Sequence, residues 1–265
     1  MRRINSKEYK MIALDILKEF DRVCRMNNLE YSLAGGTLIG AVRHKGYIPW
    51  DDDIDVIMFR KDFELLKKHL SCFKKKYKFV SVDTCSDFTA PLAKIFDKET
   101  ILREKGHRGC MDLGVYIDIF VFDYVSASFL RRKIQYGVAW CANKIWSLAT
   151  YPPRTKLLIE KKIRLLALNR KWGRKASIFL NNYAQNHRET SLVCNLMYAV
   201  NYGFEKDTFL RVELEEKVNL YFEGLSFSCF KNYHYFLTQV YGDYMKLPPE
   251  RKRISPHGNE AYYAE

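Results

Sequence analysis

The sequence predicts an α+β protein in which helices flank a mixed β-sheet core and a mainly helical half follows. Two observations predict this class. Up to residue 122, helical spacing of apolar residues alternates with short runs rich in β-branched and aromatic residues, and after Ser126 the spacing is helical. We expect a single domain over residues 1–265, with an α/β core at 1–125 and a basic, mainly helical part at 126–265.

The individual elements follow from periodicity and turn residues. In the first half, the spacing of apolar residues predicts helical segments at 6–26, 37–43 and 62–73. It predicts strands at 29–34, 54–59, 77–82, 91–96 and 114–122. The second half predicts helices at 129–149, 155–172, 175–186 and 233–241. Gly46 and Pro49 mark a turn before the second strand, because glycine permits positive φ and proline has no amide donor.

Composition and cysteine spacing restrict the class of protein. Apolar residues make up 48% and charged residues 28% of the chain, which is typical of a globular protein and not of a disordered one. The seven cysteines are scattered without a Cys-x-x-Cys pair, so we expect neither a disulfide framework nor a structural zinc site. No signal peptide is recognisable, and no uncharged apolar run reaches the roughly 18 residues of a membrane span, which predicts a cytoplasmic protein.

The net charge of +13 is concentrated in one region of the chain. Residues 126–175 contain thirteen Lys or Arg residues and a single acid, Glu160, which gives this stretch a net charge of +12. A basic region of this kind attracts phosphates, anionic lipid or nucleic acid. A solvated helix face is the alternative interpretation.

Four aspartates lie within five positions, Asp51, Asp52, Asp53 and Asp55. Like charges this close repel one another unless solvent or a cation relieves them. Asp53 and Asp55 flank Ile54, so on a strand both carboxylates project from one face, in the pattern that holds Mg²⁺ together with waters and phosphate oxygens. An acidic loop that remains hydrated is the alternative, but the run adjoins Trp50 and an apolar strand, an unfavourable place for charge without a role.

Gly35, Gly36 and Thr37 follow the first predicted strand and begin a helical turn. Two glycines allow a backbone to approach a phosphate closely, and the start of a helix presents unpaired N–H groups to an anion. Gly-Gly alone is more typical of a plain turn. Followed by Asp-x-Asp on the next strand, it resembles the motif of the polymerase-β-like nucleotidyltransferases.

The segment from Gly35 to Asp55 resembles the signature of the LicD family, bacterial choline-phosphotransferase-like proteins related to the fukutin-type ribitol-phosphate transferases. Residues 116–120 are similar to the family's strand that carries a further acid, and residues 241–249 are similar to its closing motif. Residues 91–94 and 222–224 match more loosely, and the similarity extends over about residues 17–257.

The resemblance implies a nucleotidyltransferase-like core and transfer of a phosphocholine-like group from a CDP-linked donor to a hydroxyl of a cell-surface glycan, such as lipopolysaccharide, teichoic acid or capsule. Carried over by position, Asp53, Asp55 and Asp118 are the catalytic residues. Asp53 and Asp55 would bind Mg²⁺ or Mn²⁺, and Asp118 would be a third ligand or the base. Asp118 as a structural acid paired with an arginine is the alternative.

The resemblance also implies which residues contact the donor phosphates. These residues are Gly35, Gly36, Thr37, Arg43, His44, Lys45 and Lys94. Asp51 and Asp52 would shape the turn or support the metal ligands, with Asp52 a possible ligand if the strand begins one residue earlier. Two alternatives remain open at this point: His44 could only cap the turn, and Lys94 could point into solvent.

The expected partners are a CDP-choline-like donor and a glycan acceptor, carried on lipid in this family's pathways, whereas nucleic acid is not expected. The basic region 126–175 then suggests peripheral contact with the anionic inner face of the cytoplasmic membrane. Two other functions remain open. The chain could be a nucleotidyltransferase that adds a nucleoside monophosphate to a small molecule or nucleic acid, or a non-enzymatic module that binds anionic polymers.

Overall fold

A computed structural model describes residues 1–103, 113–150, 170–198, 203–253 and 260–264. Helices and strands are both present, so the α+β class is confirmed. The helices are α1 (Ser6–Met26), α2 (Gly35–Ile39), α3 (Arg60–Lys68), α4 (Phe129–Thr150), α5 (Arg170–Gln185), α6 (Val212–Glu215) and α7 (Tyr233–Tyr241). Short 3-10 helices lie at Leu70–Cys72, Leu196–Tyr198 and Glu250–Lys252, and a π-helix continues α2 over Gly40–His44.

The strands form a central sheet and two small ones. They are β1 (Arg3–Ile4), β2 (Ser32–Leu33), β3 (Asp55–Phe59), β4 (Tyr77–Val80), β5 (Ala93–Asp97), β6 (Thr100–Arg103), β7 (Tyr116–Tyr124), β8 (Leu192–Cys194), β9 (Thr208–Leu210), β10 (Lys217–Phe222), β11 (Leu225–Phe230) and β12 (Glu260–Tyr263). The central sheet has the order β2-β3-β7-β5-β4, and β8 pairs with the end of β7 and with β9. Only the β3–β7 pair of this sheet is parallel among the described strands.

Strand β7 lies in the middle of the sheet because its alternating side chains can be buried. Ile117, Ile119 and Val121 are at most 1% exposed, as expected for the inner face of a central strand. Their neighbour α1 begins at a capping box, in which the Asn5 side chain accepts from the Glu8 amide and the Glu8 side chain accepts from the Asn5 amide. The apolar side of α1 is fully buried and contacts the sheet.

The second half combines the expected helices with strands that the sequence analysis did not predict. The predicted helices at 129–149, 175–186 and 233–241 correspond to α4, α5 and α7. Most of the predicted helix at 155–172 lies outside the described residues. Strands β10 and β11 form a hairpin whose turn, Glu223 and Gly224, has φ values of +51° and +75°. In β10 the apolar residues Val218, Leu220 and Phe222 alternate along the strand, but three of its six residues, Val218 among them, are exposed.

Two expectations from composition can be compared with the described residues. The six cysteines within them are free thiols, which agrees with the prediction of no disulfide framework. Among the helices that are described, none combines the length and the apolar character that crossing a membrane requires.

Candidate active site

Three adjacent strands place two acids and a lysine side by side. Asp55 is the first residue of β3, and its register partner on the parallel strand β7 is Asp118. On the other side of β7, the partner of Asp118 is Lys94 on β5. The Lys94 ammonium donates to Asp118 Oδ1 at 2.5 Å. The sheet therefore fixes a row of Asp55, Asp118 and Lys94.

Lys94 is not directed into solvent, so that alternative interpretation is wrong. Its side chain is 10% exposed, and its Nζ lies 3.3 Å from the centroid of the Tyr116 ring. A buried ammonium needs a counter-charge, which Asp118 provides. Among the described residues, Asp118 thus pairs with a lysine from the neighbouring strand.

The carboxylates around Asp55 repel one another. Burial raises the pKa of Asp55 well above its ordinary value, and the charges of Asp53, Asp118 and Asp51 raise it further, in that order. The positive charge of Lys94 opposes this effect without reversing it. Asp53 precedes β3 by two residues, yet its charge acts on Asp55 most strongly among the neighbouring acids. A bound cation would therefore reduce the repulsion that these acids exert on Asp55.

The glycine pair lies directly against these carboxylates. Gly35 begins α2 with φ of +54°, a conformation that other residues rarely adopt. A Cβ atom on Gly35 would overlap Oδ2 of Asp55, and one on Gly36 would overlap Oδ2 of Asp51. Both positions therefore require glycine for the aspartates to keep their places.

We expect Gly36→Ala to reduce kcat/KM about 100-fold, because the new methyl group displaces the Asp51 carboxylate, which would support the metal-binding acids, and a misplacement of about 1 Å near a site can cost this much. Gly36 does not have a positive φ, so the backbone itself tolerates alanine and the melting temperature should change little. The matched control is Gly137→Ala on α4, where the added methyl group meets no atom within 4 Å. Equal activity of the two variants would contradict the role assigned to the glycine pair.

Thr37 and His44 have local partners. The Thr37 hydroxyl accepts from the Asp55 amide at 2.9 Å and so fixes the start of β3. The His44 ring lies edge-on to Trp50, with 6.3 Å between centroids. Burial and the neighbouring charge of Arg43 lower the His44 pKa, which favours a neutral imidazole at neutral pH.

Arg43 and Lys45 flank this histidine. The Arg43 guanidinium donates to the carbonyl oxygens of Tyr244 at 2.5 Å and Lys246 at 3.4 Å, so it connects the π-helix to the closing motif. The exposed Lys45 has φ of +60°, and its ammonium donates to the Val42 carbonyl at 3.3 Å. Contact of these residues with donor phosphates stays a prediction.

The comparisons with known proteins cover this site. A family model described as LicD/FKTN/FKRP, nucleotidyltransferase domain, matches residues 28–135. The chain is 32% identical over 275 aligned positions to the lipopolysaccharide cholinephosphotransferase LicD of Haemophilus influenzae, and the match covers 99% of each chain. The chain belongs to the LicD family. The family predicted from the segment between Gly35 and Asp55 is therefore confirmed.

Two uncharacterized rickettsial proteins are similar to a shorter part of the chain. The protein from Rickettsia typhi is 36% identical over 76 residues, which is 28% of this chain and 25% of the relative. The protein from Rickettsia prowazekii is 38% identical over 74 residues, which is 28% of this chain and 27% of the relative. They share only a part of the LicD-family chain.

The residues of the LicD signature fit a hard divalent cation. In the described part of the chain, no group of three or more His, Cys, Asp or Glu side chains is arranged so that it could hold a metal ion by itself. Mg²⁺ does not require such a cage, since it commonly takes one or two carboxylates and completes its shell with water and substrate phosphate oxygens. Asp53 and Asp55 would supply oxygen ligands of this kind, and the charge of Asp53, which raises the pKa of Asp55, would be offset by a bound cation.

The sequence analysis missed the hairpin turn that supports the aspartate loop. The Tyr47 amide donates to Glu223 Oε1 at 2.9 Å, and the Glu223 amide donates to the Lys45 carbonyl at 3.0 Å. A Cβ atom on Gly46 would overlap the Glu223 carboxylate, so this glycine is required for the contact. The looser match of residues 222–224 to the family is the sequence feature that could have indicated a role for this turn.

The sequence analysis also did not identify the walls of a cavity beside Asp55. The cavity has a volume of about 80 Å³, and Gly35 and Asp55 form one of its sides. The other walls come from β7, from the segment around Asn195 and Asp207, and from α7. These parts lie far apart in the sequence, and the fold brings them to the carboxylate cluster.

Proposed function

We propose that this LicD-family transferase moves a phosphocholine-like group from a CDP-linked donor to a hydroxyl of a lipopolysaccharide-type glycan. The observation that carries the proposal is the row of Asp55, Asp118 and Lys94 beside the glycine pair. The Haemophilus relative, named a lipopolysaccharide cholinephosphotransferase, supports the transferred group and the class of acceptor. The CDP-linked donor and the divalent cation rest on the resemblance of the motifs.

In the proposed reaction, the acceptor oxygen attacks the phosphorus that bears choline, the bond from this phosphorus to the CMP oxygen breaks, and CMP leaves. The acceptor proton passes to Asp118, which the Lys94 ammonium holds in a fixed orientation. Asp53 and Asp55 would hold Mg²⁺ or Mn²⁺, with Asp51 and Asp52 supporting them from the preceding turn. The bound ion would supply charge neutralisation on the transferring phosphoryl group.

A donor panel tests this proposal. The purified chain is incubated with Mg²⁺, lipopolysaccharide that lacks phosphocholine, and either CDP-choline, CDP-ribitol or a nucleoside triphosphate. We expect CMP release from CDP-choline and incorporation of phosphorus into lipopolysaccharide. Pyrophosphate release from the triphosphate would instead establish a nucleotidyltransferase. Binding of lipopolysaccharide without release of any nucleotide would favour the non-enzymatic module.

Helices α4 and α5 expose apolar and basic side chains together. The exposed apolar residues are Phe129, Leu130, Ile134, Trp140, Ile145, Trp172 and Phe179. The exposed basic residues on the same helices include Arg131, Lys133, Lys144, Lys171 and Lys175. Aromatic and aliphatic groups beside lysine and arginine suit the headgroup region of an anionic bilayer. This surface supports peripheral membrane contact, at the face where a lipid-carried acceptor would be found.

We expect the chain to co-sediment with vesicles that contain anionic phospholipid, and not with purely zwitterionic vesicles, because basic side chains are attracted to the negative surface. Lys133→Glu with Lys144→Glu should abolish sedimentation, and about 0.5 M salt should weaken it by screening. The control is Lys78→Glu on β4, which is exposed outside this surface. Equal binding to both kinds of vesicle would contradict the electrostatic part of the proposal.

A further inference from the structure

The cavity beside Asp55 has mainly aromatic walls. Its volume is about 80 Å³, which corresponds to two or three water molecules at roughly 30 Å³ each and so suits a compact group. The rings that line it are Phe120, Phe122, Tyr198, Phe209, Phe236 and Tyr241. Several of these rings pack directly on one another: the centroids of Phe209 and Phe236 are 5.1 Å apart, and those of Phe120 and Tyr198 are 5.5 Å apart. Ring packing of this kind holds the walls in place before a ligand binds.

The described polar side chains that line the cavity are those of two aspartates, one asparagine and two tyrosines. Besides Asp55, it is lined by Asp207, which is 6% exposed and accepts from the Tyr136 hydroxyl at 3.3 Å. Asn195 also lines it, and its Oδ1 is buried without a hydrogen-bond partner. No lysine or arginine is among the described residues of the lining. The cavity is therefore suited to a cation and unsuited to a phosphate.

Aromatic rings and a carboxylate together select a particular kind of cation. A quaternary ammonium has no N–H group to donate, and its charge is spread over methyl groups that contact ring surfaces favourably. A primary ammonium is more strongly hydrated, so its transfer from water to a site with aromatic walls costs more free energy. The preference for a trimethylated head over an unmethylated one follows from this chemistry.

We propose that this cavity receives the trimethylammonium head of the transferred group, with Tyr198 and Asp207 as specificity-determining residues. The proposal rests on the proposed function and deepens it by naming the residues that would select the trimethylammonium head. A two-carbon link joins the ammonium head of choline to its phosphate. Asp55 and Gly35 line the cavity, and Gly35 packs against the Asp55 carboxylate, so the cavity adjoins the carboxylate cluster. One donor molecule can therefore occupy the two sites together.

The test compares two donors and a binding probe. Wild-type protein should use CDP-choline with kcat/KM at least about tenfold above CDP-ethanolamine, and Tyr198→Leu and Asp207→Asn should each reduce this ratio about tenfold. Calorimetric titration with phosphocholine should show the same loss of affinity in both variants, whereas affinity for CMP should stay unchanged. The controls are Tyr221→Leu, at a tyrosine that is 65% exposed, and Asp15→Asn, at an aspartate with a 51% exposed side chain.

The outcomes separate the pocket from the proposed function. If both variants transfer phosphocholine with the wild-type donor preference, the pocket assignment is overturned and the proposed function stands. If wild-type protein releases CMP from neither donor but binds phosphocholine in a Tyr198- and Asp207-dependent way, the pocket stands and the proposed reaction fails. Phosphocholine affinity that is the same in all variants would also overturn the assignment.

Discussion

Replacing both Asp53 and Asp55 by asparagine is expected to lower kcat by about 1000-fold or more and to leave the fold intact. The loss follows because asparagine has no charge with which to hold a cation or to oppose charge developing on the phosphoryl group. The fold should persist, since burial and neighbouring acids already disfavour the ionised form of Asp55. We expect the melting temperature of the metal-free variant to rise, by roughly 2–4 °C for each 1 kcal/mol of repulsion removed.

Thermal unfolding with added Mn²⁺ or Mg²⁺ provides a readout that is independent of activity. A cation at 100 times its dissociation constant stabilises a folded chain by about 2.7 kcal/mol. We expect this stabilisation in wild-type protein and in the Asp15→Asn control, whose aspartate lies on the exposed side of α1. The double variant should show none. Full transfer activity of the double variant with authentic donor and acceptor would refute the metal site.

Lys94→Met is expected to have the second-largest effect. The substitution removes the ammonium that donates to Asp118 Oδ1 at 2.5 Å. It also removes the positive charge that lowers the pKa of Asp55. Breaking a buried ion pair from one side costs about 3 kcal/mol, so the melting temperature should fall by roughly 6–12 °C. We expect kcat to fall about 100-fold, because Asp118 loses the orientation that proton transfer requires.

A second substitution separates the structural part of this effect from the chemical part. Lys94→Met combined with Asp118→Asn removes both charges, so it should recover most of the stability and none of the activity. Lys78→Met, an exposed lysine on the adjacent strand β4, is the matched control and should resemble wild type. If Lys94→Met alone keeps wild-type kcat, the proposed role of the Lys94 and Asp118 pair is wrong.

The parts of the fold that the sequence predicted are those with strong local signals. The spacing of α1, the apolar run of β7 and the glycine and aspartate motifs each depend on neighbouring residues. Asp53 was expected on a strand with Asp55, and although β3 begins only at Asp55, their charges are close enough to interact. The strand predicted at 54–59 therefore begins one residue later, at Asp55, and the metal-binding role of the two acids stays a prediction.

The remaining parts depend on contacts between distant segments. The pairing of Lys94 with Asp118 follows from the register of β5 against β7, which no local pattern reports. The contact of Arg43 with the Tyr244 carbonyl joins positions 201 residues apart. In the same way, the cavity beside Asp55 combines strand, loop and helix residues, so a single sequence could not assign its walls.

Phosphorus NMR of one reaction mixture tests the central claim most directly. The mixture contains the chain, Mg²⁺, CDP-choline and lipopolysaccharide that lacks phosphocholine. We predict that the diphosphate signals of the donor are replaced by one CMP signal and one phosphodiester signal on the lipopolysaccharide, and that neither appears with EDTA or with the Asp53→Asn, Asp55→Asn variant. A phosphodiester signal formed at the wild-type rate by that variant, or donor signals that stay unchanged with the wild-type chain, would contradict the claim.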